Sequence, residues 1–188
     1  SILTELEVRK RDLYEPFREY IKNGSQGSFS IWREMDYEQL RKITKVPNYF
    51  TKVETHLMLS DSNIVTLPDN LTVGGSAYLS ATAIKTLPNN FKVGADLIIE
   101  NTPLEYLPPD LEVGRDLSLK NSNLKSLPDD LNIGGTLNIT NTKIEQLPDN
   151  LSVGGILHPY NTSINSIPYN LRVGRVFYTT LTPLGRNY

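Results

Sequence analysis

The sequence predicts an α/β repeat solenoid of about seven coils, with a parallel β-sheet on one face and a short helical N-terminal cap. Three observations carry that prediction. Leu67-Pro68, Leu87-Pro88, Leu107-Pro108, Leu127-Pro128, Leu147-Pro148 and Ile167-Pro168 recur at a spacing of 20, and Gly74, Gly94, Gly114, Gly134, Gly154 and Gly174 keep the same period. A fixed period of this length marks a stacked array. The middle of each unit alternates, with Leu97 and Ile99, Leu117 and Leu119, and Leu137 and Ile139 two apart, the period of a strand with one buried face. Residues 1–45 break the repeat and show helical spacing instead. The chain therefore divides into a helical cap, 1–45, and a solenoid, 46–188.

Within the cap, Leu13, Phe17, Tyr20 and Ile21 share one helical face, and Asn23-Gly24 is a stop signal. Pro16 starts that helix near Glu15 or kinks it. Gly24 to Ser30 reads as a loop, and Asp36 caps a second short helix carrying Tyr37, Leu40 and Ile43. Covering the open apolar end of the array is the expected task of these helices. A docking arm anchored by Trp32 and Met35 is the alternative.

The repeats begin with a degenerate copy at Val46-Pro47, which carries one extra residue before Leu57. A strand of about four residues cannot stand alone, so stacking must place the strands side by side in parallel. Proline closes the return segment, where its fixed φ suits a turn. Leu71, Phe91, Leu111, Leu131, Leu151 and Leu171 are expected to point inward from that segment, as are Val73, Val93, Val113, Ile133, Val153 and Val173 just before the glycine. The glycine is expected to adopt a backbone conformation that a side chain would disfavour. At the far end, Val176, Phe177, Tyr178, Leu181, Leu184 and Tyr188 must shield the last core layer in one irregular coil. A homodimer through this C-terminal end is a further expectation.

Composition bounds function. The chain has 188 residues with 38% hydrophobic and 21% charged, enough to bury a core in a soluble, ordered protein. No run of eighteen apolar residues is present, so no membrane span is expected. Ser1-Ile2-Leu3 leads into charged residues with no apolar h-region, so no secretory signal is visible. Zero cysteines exclude disulfides, thiolate metal sites and a cysteine nucleophile, and fit a cytoplasmic setting. A net charge of −2 leaves no electrostatic footprint for nucleic acid. The glycines lie between a return turn and a strand, which is the wrong context for a phosphate loop. No cofactor or metal is expected.

The segments Leu97-x-Ile99-x-x-Thr102-x-Leu104 and Leu117-x-Leu119-x-x-Ser122-x-Leu124 resemble the LxLxxNxL segment of leucine-rich repeats. The Leu-Pro that follows resembles the short bacterial "LPX" subtype, and the match spans roughly residues 46 to 184. The L-P-D-N-L-x-V-G-G wording is similar to repeats encoded in tailed-phage genomes. Ser62, Thr82, Thr102, Ser122, Thr142, Thr162 and Thr182 occupy the asparagine position of that family. A hydroxyl ladder there is expected to bond backbone in the neighbouring coil. The resemblance implies a protein-binding scaffold. The phage-like wording implies an inhibitor or modulator of a host protein, acting in the host-cell cytoplasm. Larger bacterial effectors with similar repeats append a cysteine-dependent ligase domain. This chain has no cysteine to support that activity.

With Leu97 and Ile99 inward, Asp96, Ile98 and Glu100 face outward. The same register gives His56, Met58, Ser60; Ser76, Tyr78, Ser80; Asp116, Ser118, Lys120; Thr136, Asn138, Thr140; Ile156, His158, Tyr160; and Val176, Tyr178, Thr180. The residues expected to contact a protein partner are Met58, Tyr78, Asp96, Ile98, Glu100, Asp116, Ser118, Lys120, Asn138, His158, Tyr160 and Tyr178. Asp96 and Asp116 share a register about 5 Å apart. They read as a surface patch with Arg115 and Lys120 as counterions, or alternatively as the carboxylate pair of a hydrolase. Glu100 and Lys120 form a similar pair. His56 and His158 lie five coils apart, roughly 24 Å, too far to share a metal. Pro159 removes a strand donor and marks either a widening of the sheet or decay of the repeat. Asp69-Asn70, Asn89-Asn90, Pro109-Asp110, Asp129-Asp130, Asp149-Asn150 and Tyr169-Asn170 form the return turns. They are ordinary turn formers. Alternatively, their acidic ridge imitates a phosphate backbone and blocks a DNA-binding protein.

Overall fold

The computed structural model describes residues 44–46, 48 and 51–175. Both helices of the expected cap and the shielding coil after Arg175 lie outside them, as does the C-terminal dimer surface. Among the described residues the chain is a parallel β-solenoid without helix. Its strands are Lys52–Val53 and Leu57–Met58 (β1, β2), Thr72–Val73 and Ala77–Tyr78 (β3, β4), and Lys92–Val93 and Leu97–Ile98 (β5, β6). Glu112–Val113 and Leu117–Ser118 (β7, β8), Asn132–Ile133 and Leu137–Asn138 (β9, β10), Ser152–Val153 and Leu157–His158 (β11, β12), and Arg172–Val173 (β13) complete them.

The strands form two parallel sheets rather than the one expected. The odd-numbered strands make a seven-stranded sheet and the even-numbered ones a six-stranded sheet, in chain order. Six full turns are therefore described, and β13 opens a seventh. The second sheet follows from the constant repeat length. When each turn has the same number of residues, every backbone position sits over its equivalent, and any extended stretch becomes a ladder. The return segment before each glycine is extended, so Gly74 N–H donates to Val53 O at 2.7 Å and Gly94 N–H to Val73 O at 2.8 Å. In the other sheet the ladder outruns the two-residue strands. Leu97, Ile99 and Asn101 N–H donate to Asp116, Ser118 and Lys120 O at 2.8, 2.9 and 2.9 Å.

The core lies between the sheets' inward columns. Leu57, Leu97, Leu117, Leu137 and Leu157 are fully buried from the six-stranded sheet, as are Leu59, Leu79, Ile99, Leu119 and Ile139. Phe91 and Leu71 meet them from the return segment, and Val73 and Val93 enter just before the glycines. Pro159 fills an inward position without widening the sheet. Leu137 pairs with Leu157 and Asn138 with His158, and Ile139 and Asn141 N–H still reach His158 and Tyr160 O at 2.9 Å. Decay of the repeat is the reading that fits.

Two expectations are corrected. The repeated glycines are required by close approach and not by unusual φ. A Cβ built at Gly94 or Gly114 would come within 3.0 Å of the carbonyl oxygen of Gly74 or Gly94 in the turn below, nearer than real Cβ atoms come. The hydroxyl column bonds its own turn, not the neighbouring one. Ser62, Thr82, Thr142 and Thr162 donate to the carbonyls of Leu59, Leu79, Ile139 and Pro159 at 2.7, 2.8, 2.8 and 2.7 Å. These hydroxyls close the tight bend that ends each strand.

The column tying turn to turn stands one residue earlier. Asn101, Asn121, Asn141 and Asn161 have φ between 52 and 59°, a left-handed bend that asparagine tolerates better than most residues. Asn121 Nδ2 donates to Asn101 Oδ1 at 2.7 Å, Asn141 to Asn121 at 2.7 Å, and Asn161 to Asn141 at 2.6 Å. Among the described residues one buried hydroxyl is left over: Ser122 Oγ has no partner. Leaving a buried donor unpaired costs about 1–3 kcal/mol. Ser122→Thr is accordingly expected to raise stability by about 1 kcal/mol, because β-branching restricts χ1 and the hydroxyl can then bond as Thr142 does. Urea unfolding checks this; a destabilised variant would refute it.

Candidate interaction face

The outward side chains of the six-stranded sheet fall into three columns, and the backbone beneath them is fixed by interstrand hydrogen bonds. The entry column runs His56, Ser76, Asp96, Asp116, and each side chain accepts an amide from the next turn. Ser76 N–H donates to His56 Nδ1 at 2.9 Å, Asp96 N–H to Ser76 Oγ at 3.3 Å, Asp116 N–H to Asp96 Oδ1 at 3.2 Å, and Thr136 N–H to Asp116 Oδ1 at 2.7 Å. These amides lie just before the two-residue strands, and the side chains of the preceding turn supply their acceptors. Asp96 and Asp116 thus each reach forward to the backbone of the following turn. Arg115 Nε lies 3.3 Å from Asp96 Oδ1, with its side chain 68% exposed, an exposed pairing of small energetic weight. Backbone capping of this kind gives the aspartates a structural task.

In the middle column, Met58 pairs directly with Tyr78 and Tyr78 with Ile98 across β2, β4 and β6. All three are half-buried. The column continues through Ser118, Asn138 and His158. Ser118 is only 7% exposed, so the surface dips at β8. In the exit column, Ser80 and Glu100 N–H donate to the hydroxyls of Ser60 and Ser80 at 3.2 and 3.0 Å.

Glu100 departs from expectation. Its Oε1 accepts Ser118 Oγ–H at 2.5 Å, which draws the carboxylate diagonally over β8 and into the dip. The expected Glu100–Lys120 ion pair does not form. Ion pairs among the described residues are Lys52–Glu54, Lys92–Glu112 and Arg115–Asp96. A small buried serine one turn on, able to donate to the longer glutamate, was the signal available in the sequence.

The ends of the face are aromatic. The His56 and Tyr78 ring centroids lie 6.4 Å apart, and those of His158 and Tyr160 5.7 Å apart. His158 lies in β12 and His56 immediately precedes β2, the two outermost strands of the sheet. Among the described residues no three His, Asp or Glu side chains gather where they could hold a metal ion. Tyr178, the last of the expected contact residues, lies outside the described residues.

Three of the return-turn aspartates bond to a neighbouring turn. Asp69 Oδ1 accepts Asn89 N–H at 2.9 Å, Asp110 Oδ2 accepts Asn90 N–H at 2.8 Å, and Asp130 Oδ1 accepts Asn150 Nδ2–H at 2.7 Å. All three bonds join neighbouring turns of the solenoid, twenty residues apart. On the seven-stranded sheet, an open groove of about 510 Å³ runs past Gly74, Gly94 and Gly114, with the Lys92–Glu112 pair at 2.7 Å along it.

The chain matches no protein-family model, and no curated protein matches it. Among solved structures it is similar to YopM from Yersinia enterocolitica WA-314, with 17% sequence identity and a TM-score of 0.38. The similarity covers 71% of this chain and 40% of that protein, so the chain spans less than half of its length.

Proposed function

We propose that this chain is a non-catalytic interaction module that binds another protein through the outward face of its six-stranded sheet. One observation carries the reading. Met58, Tyr78 and Ile98 stand in direct register on a hydrogen-bonded backbone, on the face turned away from the Leu57–Leu59 core. Apolar side chains held on a rigid sheet bind at low entropic cost, and a mixed polar rim around an apolar centre is the anatomy of an interface. The mechanism is steric masking or bridging. The finer version, a phage-encoded modulator of a host protein in the host cytoplasm, rests on the resemblance of the repeat wording.

Affinity capture from bacterial lysate tests this, comparing wild type with Tyr78→Ala/Ile98→Ala and with Asp129→Lys/Asp130→Lys. One protein retained by wild type and by the lysine variant, and reduced about tenfold or more by the alanine variant, is the expected result. Loss with the lysines and retention with the alanines would transfer the function to the acidic ridge and sink the face. Self-association of the chain that survives the alanine substitutions would point to pairing at its C-terminal end.

A further inference from the structure

The interaction reading can be carried to a class of partner, because the face has a spacing and a charge. Met58, Tyr78 and Ile98 lie one strand apart, so the apolar column spans about 10 Å, and the dip at Ser118 comes one strand later, at about 14 Å. Glu100 fills that dip with its carboxylate and, among the described residues, makes no ion pair. The face therefore reads apolar, apolar, apolar, anionic along the solenoid axis.

An extended segment does not fit this series, since its same-face residues repeat every 6.6 Å or so and drift out of a strand spacing near 4.8 Å by the third contact. An α-helix does fit. Residues i, i+3, i+7 and i+10 share one face and lie about 0, 4.5, 10.5 and 15 Å along its axis. We propose that the occupant of this face is an amphipathic α-helix of the partner protein. It lays apolar side chains at i, i+3 and i+7 on Met58, Tyr78 and Ile98, and a lysine or arginine at i+10 on Glu100. The apolar contacts supply affinity and the cation fixes direction, since a reversed helix would set its basic residue beside Met58.

The test uses the full chain and two labelled alanine-based peptides of about 18 residues, long enough to hold helix. Both carry leucine at i, i+3 and i+7; one has lysine at i+10 and the other glutamate. By fluorescence anisotropy, wild type is expected to bind the lysine peptide about tenfold tighter. Glu100→Gln removes the difference, Glu100→Lys inverts it, and Ile98→Ala weakens both peptides alike. The inversion guards against a folding artefact, because a misfolded variant would gain no affinity for the glutamate peptide. Equal binding of both peptides by wild type, a lysine preference that survives Glu100→Lys, equally tight binding of a lysine peptide without leucines, or no binding at millimolar peptide would each overturn the proposal. So would a rise in mass with protein concentration that Ile98→Ala abolishes, since the occupant would then be a second copy. The proposal rests on the interaction reading, and the two can fail separately. Lysate capture that depends on Tyr78 and Ile98 but not on Glu100 removes the helix and keeps the face, whereas capture indifferent to all three removes both.

Discussion

Gly114→Val is expected to cost about 3 kcal/mol or more and to split chemical unfolding into two phases. An added Cβ at Gly114 would lie within 3.0 Å of the Gly94 carbonyl oxygen. That atom is backbone and has no rotamer with which to move aside. Gly74, Gly94, Gly134, Gly154 and Gly174 are stacked the same way, each against the carbonyl of the turn below. A shift at one level is therefore passed to the next and not absorbed. In a quasi-one-dimensional array the weak interface separates two blocks that still hold their own contacts, and each then melts at its own midpoint. Gly75→Ala is the milder comparison. Its Cβ would lie 2.7 Å from the Thr55 carbonyl oxygen, farther than a Cβ at Gly114 would lie from the Gly94 carbonyl oxygen, and the next two turns carry Ala95 and Arg115 at this register. A smaller cost, about 1–2 kcal/mol, is expected there. Urea titration followed by far-UV circular dichroism reads both variants. A single transition for Gly114→Val with an unchanged midpoint would refute the close-stacking account.

The second large effect is expected at the centre of the core. Leu117→Ala should destabilise by about 3–4 kcal/mol, the range for a fully buried leucine whose surroundings cannot collapse. Leu117 is inaccessible to solvent and sits directly between Leu97 and Leu137 in the ladder. Both neighbours are held by interstrand hydrogen bonds, so the vacated volume remains open. Leu171→Ala, at the last described turn, should cost only about 1 kcal/mol because Leu171 is partly exposed. Calorimetry or urea melts would show the contrast. Equal losses at the two sites would mean that the array does not form one continuous packed core.

The face was legible in outline: of its expected pairs, Arg115 with Asp96 is present and Glu100 with Lys120 is not. Alternation of Leu97 and Ile99 assigns Ile98 to the outside whatever the rest of the chain does, because strand geometry sends successive side chains to opposite sides. Nearest equivalents in the repeat then suggested Glu100 with Lys120. The structure sends Glu100 diagonally to Ser118, since a serine leaves space that a long side chain can occupy and its hydroxyl can donate. Which neighbour a flexible charged side chain selects depends on the volumes around it, and a register diagram contains no volumes. The same limit explains Asp96 and Asp116. Their spacing suggested a carboxylate pair, and the structure adds that each accepts the backbone amide at the same register of the following turn.

By itself the sequence determined the period, the inward columns and the parallel stacking. Each of these follows from chain connectivity and from burying leucine at every turn, and so survives without coordinates. Only the tertiary structure decided that the return segments form a second sheet, that the glycines are demanded by the carbonyl below, and that an asparagine column, not the hydroxyl column beside it, links successive turns. These are contacts between residues twenty apart, separated by one strand spacing. Whether a Cβ fits or an amide reaches its partner there depends on tenths of an ångström in the stacking distance, which no residue carries on its own.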